Sequence, residues 1–132
     1  MAAAPIRFEK DAEGVVTVTF DAPGAPVNTM TEAWQAVFTE SVERLAREKA
    51  SIKGVILASA KKTFFAGAEL KDVLKFGPHD GPKVFHWLES LKKQLRALET
   101  IGLPVVAVIE GAALGGGWEV ARSAHCRIVR DD

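Results

Sequence analysis

A chain of 132 residues is about one domain's worth of polypeptide. Its 48% hydrophobic and 26% charged content excludes disordered, collagen-like and low-complexity classes. Lys plus Arg and Asp plus Glu both total 17, so no net field recruits nucleic acid or an anionic membrane, and an anionic ligand must be held by a local site. Cys126 is the only cysteine, which excludes an internal disulfide and any multi-cysteine metal cage and fits a reducing, cytoplasmic setting. The longest apolar run, Leu103 to Ile109, is far shorter than the ~20 residues of a membrane span.

Taken in chain order, Ile6 to Glu9 and the alternating Val15 to Phe20 predict an antiparallel ribbon closed by the turn Asp11-Ala12-Glu13-Gly14. Asp21 to Asn28, with Pro23, Gly24 and Pro26, reads as a loop. Thr29 followed by Glu32 has the capping-box pattern, and Phe38, Val42, Leu45 and Ala46 predict a helix running to about Glu48. Gly54 to Ala58 and Val105 to Ile109 are continuous apolar runs, the texture of strands buried on both faces of a parallel sheet. Between them Val84, Leu88, Leu91, Leu95 and Leu98 recur at helical spacing behind Pro82 and stop before Gly102 and Pro104. A glycine-rich loop, a short helix through Ala124 and a last strand Cys126 to Val129 complete an α/β alternation with sheet faces covered by helices. Nothing follows that strand to cover it, so residues 1–132 are expected to be part of a domain.

Two loops leave the carboxyl ends of buried strands, where open α/β sheets bind ligands. In the first, Ala66, Gly67 and Ala68 leave backbone N–H groups approachable, and a helix beginning near Glu69 would aim such donors at an anion or polarised carbonyl. A tight strand-to-helix connection would look the same. In the second, Gly115-Gly116-Gly117 at a helix start is costly in a helix and implies close approach, either of a ligand or of another backbone. It is not a dinucleotide fingerprint, because Ala113 or Val120 stands where glycine is required, and no P-loop lysine follows Gly116. Glu119 has the place of a helix-start charge, but Leu114, Trp118 and Val120 surround it with apolar bulk suited to acid-base work. His125 and Cys126 are adjacent in a predicted strand and point apart, and His79 and His86 lack a second ligand at metal spacing. The lysine pairs Lys61-Lys62 and Lys92-Lys93 read as solvated faces.

The segment Thr63-Phe64-Phe65-Ala66-Gly67-Ala68-Glu69-Leu70-Lys71, followed by Gly111-Ala112-Ala113-Leu114-Gly115-Gly116-Gly117-Trp118-Glu119, resembles the crotonase (enoyl-CoA hydratase/isomerase) superfamily. Asp21 to Met30 is similar to the amino-terminal hydratase domain of multifunctional fatty-acid β-oxidation proteins. The resemblance implies a crotonase-like spiral of ββα units, of which residues 1–132 are the front part, and hydration of 2-trans-enoyl-CoA to 3-hydroxyacyl-CoA. It implies Ala68 and Gly116 as oxyanion donors, Glu119 as one of two carboxylates, and the second carboxylate beyond Asp132. Ala66, Gly67, Lys71 and Gly115 would bind the CoA thioester, with Ala66 at the adenine and Lys71 near phosphate. No cofactor and no metal are implied, since coenzyme A enters with the substrate. The expected partners are the acyl-CoA thioester and either further copies of the chain or a downstream domain. Enoyl-CoA isomerisation, other CoA-thioester enolate chemistry, and a non-catalytic CoA-binding fragment are the alternatives.

Overall fold

The computed structural model describes residues 3–131. Strands β1 (Ile6–Lys10) and β2 (Val15–Phe20) form the antiparallel ribbon, with Ile6 opposite Phe20 and Lys10 opposite Val16. Asp11 closes its turn by accepting from the N–H groups of Glu13 and Val15, each at 2.9 Å. From β2 onward the sheet is parallel, through β3 (Gly54–Ser59), β4 (Val105–Ile109) and β5 (Cys126–Val129), in the order β1-β2-β3-β4-β5. Helix α1 (Glu32–Glu48) joins β2 to β3; the short α2 (Leu70–Val73) and long α3 (Gly81–Glu99) join β3 to β4; α4 (Gly116–Arg122) joins β4 to β5.

The strand register places Val16, Val18, Phe20, Val55, Leu57, Val105, Ala107 and Ile109 on one face, all buried. Trp34, Phe38, Val42 and Leu45 of α1 and Leu91 and Leu98 of α3 join this core. Burying such side chains contributes about 1.5–3 kcal/mol each against the entropy of ordering them. An aromatic knot lies under the loops at the strands' carboxyl ends. Trp34 stacks on Phe38 with centroids 4.7 Å apart, and Phe65 meets Trp34 edge-on at 5.0 Å. Phe20 touches Phe64 and Phe65 in the same edge-to-face manner.

The structure corrects three local expectations. The cap of α1 is Thr31, whose Oγ1 accepts from Trp34 N at 3.0 Å, whereas Thr29 Oγ1 donates to Glu69 Oε2 at 3.2 Å. Helix formation cannot begin earlier because Met30 is held extended, its N–H donating to Gly67 O at 2.8 Å. Ala46 is exposed, and the apolar stripe runs through Leu45 instead. The sheet is not buried on both faces: Ile56, Ala58, Val106 and Val108 point away from α1 and α3 and are half-buried, and Ile128 is 58% exposed. An unbroken apolar run reads the same whether its second face is covered within the chain or not.

Ion pairs staple the ribbon to its surroundings. Asp21 pairs with Lys61 at 3.0 Å and with Arg7, and Glu48 pairs with Arg44 and with Lys10. Hydrogen bonds from Lys61 and then Arg7 hold the Asp21 carboxyl below its usual range, and those from Arg44 and then Lys10 do the same for Glu48. Both folded-state values lie under the unfolded ones, so the native state binds fewer protons in acid and stability rises with pH there. The contribution is complete above the ordinary carboxylate range and is lost as pH falls through the lowered values. In thermal melts from pH 7 downward, Asp21→Asn is expected to flatten part of the acid limb; an unaltered limb would show that the Asp21 pairs add nothing.

Candidate functional site

Three loops meet beyond the carboxyl ends of β2, β3 and β4. Main-chain hydrogen bonds lace them together: Ala66 N donates to Asn28 O at 2.8 Å, Met30 N to Gly67 O at 2.8 Å, and Leu114 N to Phe65 O at 2.9 Å. Phe64 and Phe65 both donate to Ala112 O. The hub is Asn28, 1% exposed and the only asparagine in the chain. Its Nδ2 lies 2.9 Å from Ser59 Oγ and 3.2 Å from the carbonyls of Phe20 and Phe64, and its Oδ1 accepts from Ala22 N at 2.9 Å. One amide thereby ties the ends of β2 and β3 to the loop carrying Ala66 to Ala68. The turn-rich composition of residues 21–28 conceals this role in the sequence, where a lone Asn beside Pro and Gly reads only as a loop residue.

The glycines divide their work. Gly115, at φ 50° and ψ −122°, makes the turn into α4 in a conformation that a side chain would strain. A Cβ on Gly117 would stand 2.5 Å from Phe65 Cβ and 2.6 Å from Phe65 O, so backbone contact between the two loops requires glycine there. A Cβ on Gly67 would stand 3.0 Å from Leu114 O and 3.6 Å from Gly116 N. Gly67, the neighbour of Ala68, thereby packs against the backbone of Leu114 to Gly116. Among the hydrogen bonds of the described residues none takes the N–H of Ala68 or of Gly116, although the peptides around them are engaged. Open backbone donors on two loops bonded to one another are the kind of groups that receive negative charge developing on an oxygen.

Glu119 follows in the first turn of α4, its N–H bonded to Gly115 O at 3.1 Å. Its side chain is exposed, and Leu114 and Trp118 are 56% and 43% exposed, so the apolar enclosure expected from the sequence is not formed by these neighbours; Val120 turns into the core instead. Ala66 is half-buried, Gly67 buried, and Gly115 and Lys71 exposed. Glu69 does cap a helix, accepting from Lys71 N, but α2 is only four residues long. On the Ala68 side a cavity of about 600 Å³ opens between α1, α2 and α3, with Met30, Ala33, Val73, Phe76 and Trp87 among its walls and Asp72, Lys75 and Lys83 among its polar lining.

Other candidates take structural parts. His125 precedes β5 rather than lying in it, accepts from Val105 N through Nδ1 at 3.0 Å, and reaches Glu99 O through Nε2 at 2.7 Å. That pair of partners requires the proton on Nε2 and pins the end of α3 to β4. Lys61, expected on a solvated face, is the ion-pair partner of Asp21 with 17% of its side chain exposed. Among the described residues no three His, Cys, Asp or Glu side chains are grouped as a metal would need, and no helix is long and apolar enough to cross a membrane.

Known proteins share this architecture. The enoyl-CoA hydratase/isomerase family profile matches residues 10–132. The fatty acid oxidation complex subunit alpha of Shewanella oneidensis is 34% identical over 125 residues, which is 91% of this chain and 17% of the relative. Its counterpart from a Psychrobacter species is 32% identical over 120 residues, 90% of this chain and 16% of the relative. The crystal structure of an enoyl-CoA hydratase from Bacillus anthracis superposes with a TM-score of 0.83 at 26% identity, covering 95% of this chain and 47% of that one. The Mycobacterium smegmatis enoyl-CoA hydratase gives 0.83 at 25% identity, with the same shares of 95% and 47%. The chain thus spans about a sixth of these curated relatives and about half of these hydratase structures. With the α/β sheet, the paired loops and a profile match over nearly all its length, the chain belongs to the enoyl-CoA hydratase/isomerase family.

Proposed function

We propose that the protein containing this chain hydrates 2-trans-enoyl-CoA to 3-hydroxyacyl-CoA in fatty-acid β-oxidation, in a cytoplasmic setting and with no cofactor beyond the coenzyme A of its substrate. The observation that carries the reading is the pair of open N–H groups, Ala68 and Gly116, set on loops locked to one another, with Glu119 one turn beyond Gly116. In this reading the thioester carbonyl oxygen sits between the two donors. As the water oxygen bonds to C3, the C2–C3 π pair shifts to C1–C2 and the carbonyl π pair onto the thioester oxygen, forming an enolate, and each donor aimed at that oxygen contributes about 3–4 kcal/mol. Glu119 handles protons as water adds and C2 is protonated, together with a second carboxylate. Ala66, Gly67 and Gly115 supply close backbone contact to the thioester, Lys71 a cation for phosphate, and the cavity beside Ala68 apolar wall for the organic part of the substrate.

The test is the loss of conjugated-thioester absorbance when 2-enoyl-CoA is added to the native-length protein, with 3-enoyl-CoA in a parallel arm. Loss with the 2-enoyl substrate and accumulation of 3-hydroxyacyl-CoA is the expected result. Turnover of the 3-enoyl substrate to the conjugated isomer without net addition of water would make the enzyme an isomerase. Turnover of neither would remove the hydratase reading.

A further inference from the structure

We infer that Met30 is a positioning residue for the oxyanion site, holding both of its donors at once. The inference rests on the proposed use of Ala68 and Gly116 and adds a residue that neither loop motif contains. Met30 belongs to the third loop, just before α1, and is 4% exposed. Its backbone clasps one donor loop: the N–H bonds to Gly67 O at 2.8 Å, and Met30 bridges Ala68 in parallel fashion. Its side chain lies against the other donor loop. A Cβ built on Gly116 would stand 2.5 Å from Met30 Sδ and 2.7 Å from Cε, so the thioether fills the space that a side chain on Gly116 would occupy. Met30 is also among the residues lining the cavity beside Ala68.

The consequence is geometric. Gly116 is the first residue of α4, after the glycine turn at Gly115; its N–H takes no bond, while the Gly115 carbonyl of the same peptide accepts from Trp118 N at 3.0 Å and Glu119 N at 3.1 Å. Those bonds set the peptide's tilt within α4 but not where the start of α4 stands relative to the Ala68 loop, and Met30, bonded to that loop and packed against Gly116, spans the two. The thioether fills this gap with its δ and ε atoms, and the contact next to Gly116 begins at the δ position. Met30 never has to touch the reacting atoms, and its effect should fall on the step in which charge develops on the thioester oxygen rather than on capture of the CoA moiety.

Three variants of the native-length protein test this: Met30→Ala, Met30→Val and Met30→Leu, each checked for folding by circular dichroism. Two readouts are taken: steady-state hydration of 2-enoyl-CoA, and near-ultraviolet absorbance of the enolate formed when a 3-ketoacyl-CoA binds. Met30→Ala should lower kcat by about 10- to 100-fold with KM changed less than about threefold, and the bound enolate should fall in parallel. Met30→Leu, which keeps atoms at the δ position, should restore both to within about threefold of wild type. Met30→Val gives the same readout as Met30→Ala should the latter not fold. Wild-type kcat and enolate absorbance in the shortened variants would overturn the role, as would a loss confined to KM. A wild-type protein that raises no enolate would remove the oxyanion reading itself, which distinguishes that failure from a failure of Met30 alone.

Discussion

Glu119→Gln should lower hydration of 2-enoyl-CoA by about 10²- to 10⁴-fold, the usual weight of a positioned acid-base group. Glutamine keeps the length, planarity and one hydrogen-bonding oxygen of the side chain and removes its charge and its ability to exchange a proton. Stability should hardly change, because the Glu119 side chain is exposed and makes no hydrogen bond or ion pair to another described residue. An exposed substitution of this kind is ordinarily within about 0.5 kcal/mol. Binding of a saturated acyl-CoA, followed by calorimetry, should also remain near wild type, since the donors and loop backbones that hold it are untouched. The expected pattern is therefore a collapse of kcat at constant fold and near-constant affinity. Unchanged kcat would remove Glu119 from the chemistry. Lost affinity would make it a binding residue and leave the proton transfers to other groups.

The strands and two long helices were legible from periodicity because their residues report burial directly. Val15 to Phe20 alternates, and the structure buries every second residue of it. Leu91 and Leu98 are buried as their spacing predicts, although Leu88 in the same series is 43% exposed. What periodicity could not supply was which face an unbroken apolar strand shows to its helices. Val55 and Ile56 are neighbours of similar character, and only one of them is in the core. That difference is set by register with β2 and β4, a long-range property.

The site divides along the same line. Its two glycine-bearing loops announce themselves because glycine is costly and must be justified by approach or by φ. The structure gives that justification separately for each of three consecutive glycines: a turn at Gly115, Met30 against Gly116, and the Phe65 backbone against Gly117. The sequence left open whether the run served a ligand or tight packing, and for Gly117 the answer is packing. Asn28 and Met30, the residues that bind the loops to one another, carry no such signature. Their importance arises from partners many positions away, Ser59, Phe64, Gly67 and Gly116, which no local pattern can pair.

Asn28→Asp should destabilise the chain by about 3–5 kcal/mol, the range for an uncompensated buried charge. At Asn28 the amide nitrogen faces three acceptors, Ser59 Oγ and the carbonyls of Phe20 and Phe64, in a site only 1% exposed. A carboxylate has no proton to give any of them and would set negative charge against two carbonyl dipoles. Ala22 N, which the wild-type Oδ1 accepts from, is the one partner a carboxylate would retain. Measured against a domain stability of about 5–15 kcal/mol, that loss leaves a marginal fold. The deficit should shrink as pH falls: the native state disfavours the charged form, so the folded-state value of the new carboxyl lies above its unfolded one, and protonation supplies an O–H donor. Asn28→Ala, which leaves the same acceptors unpaired without adding charge, should cost less at neutral pH and show no such recovery. Denaturant titrations of the three proteins at neutral and mildly acidic pH decide the matter. Equal midpoints for Asn28→Asp and wild type would mean that the loops are held together by the main-chain bonds alone, and that Asn28 is a passenger in the junction.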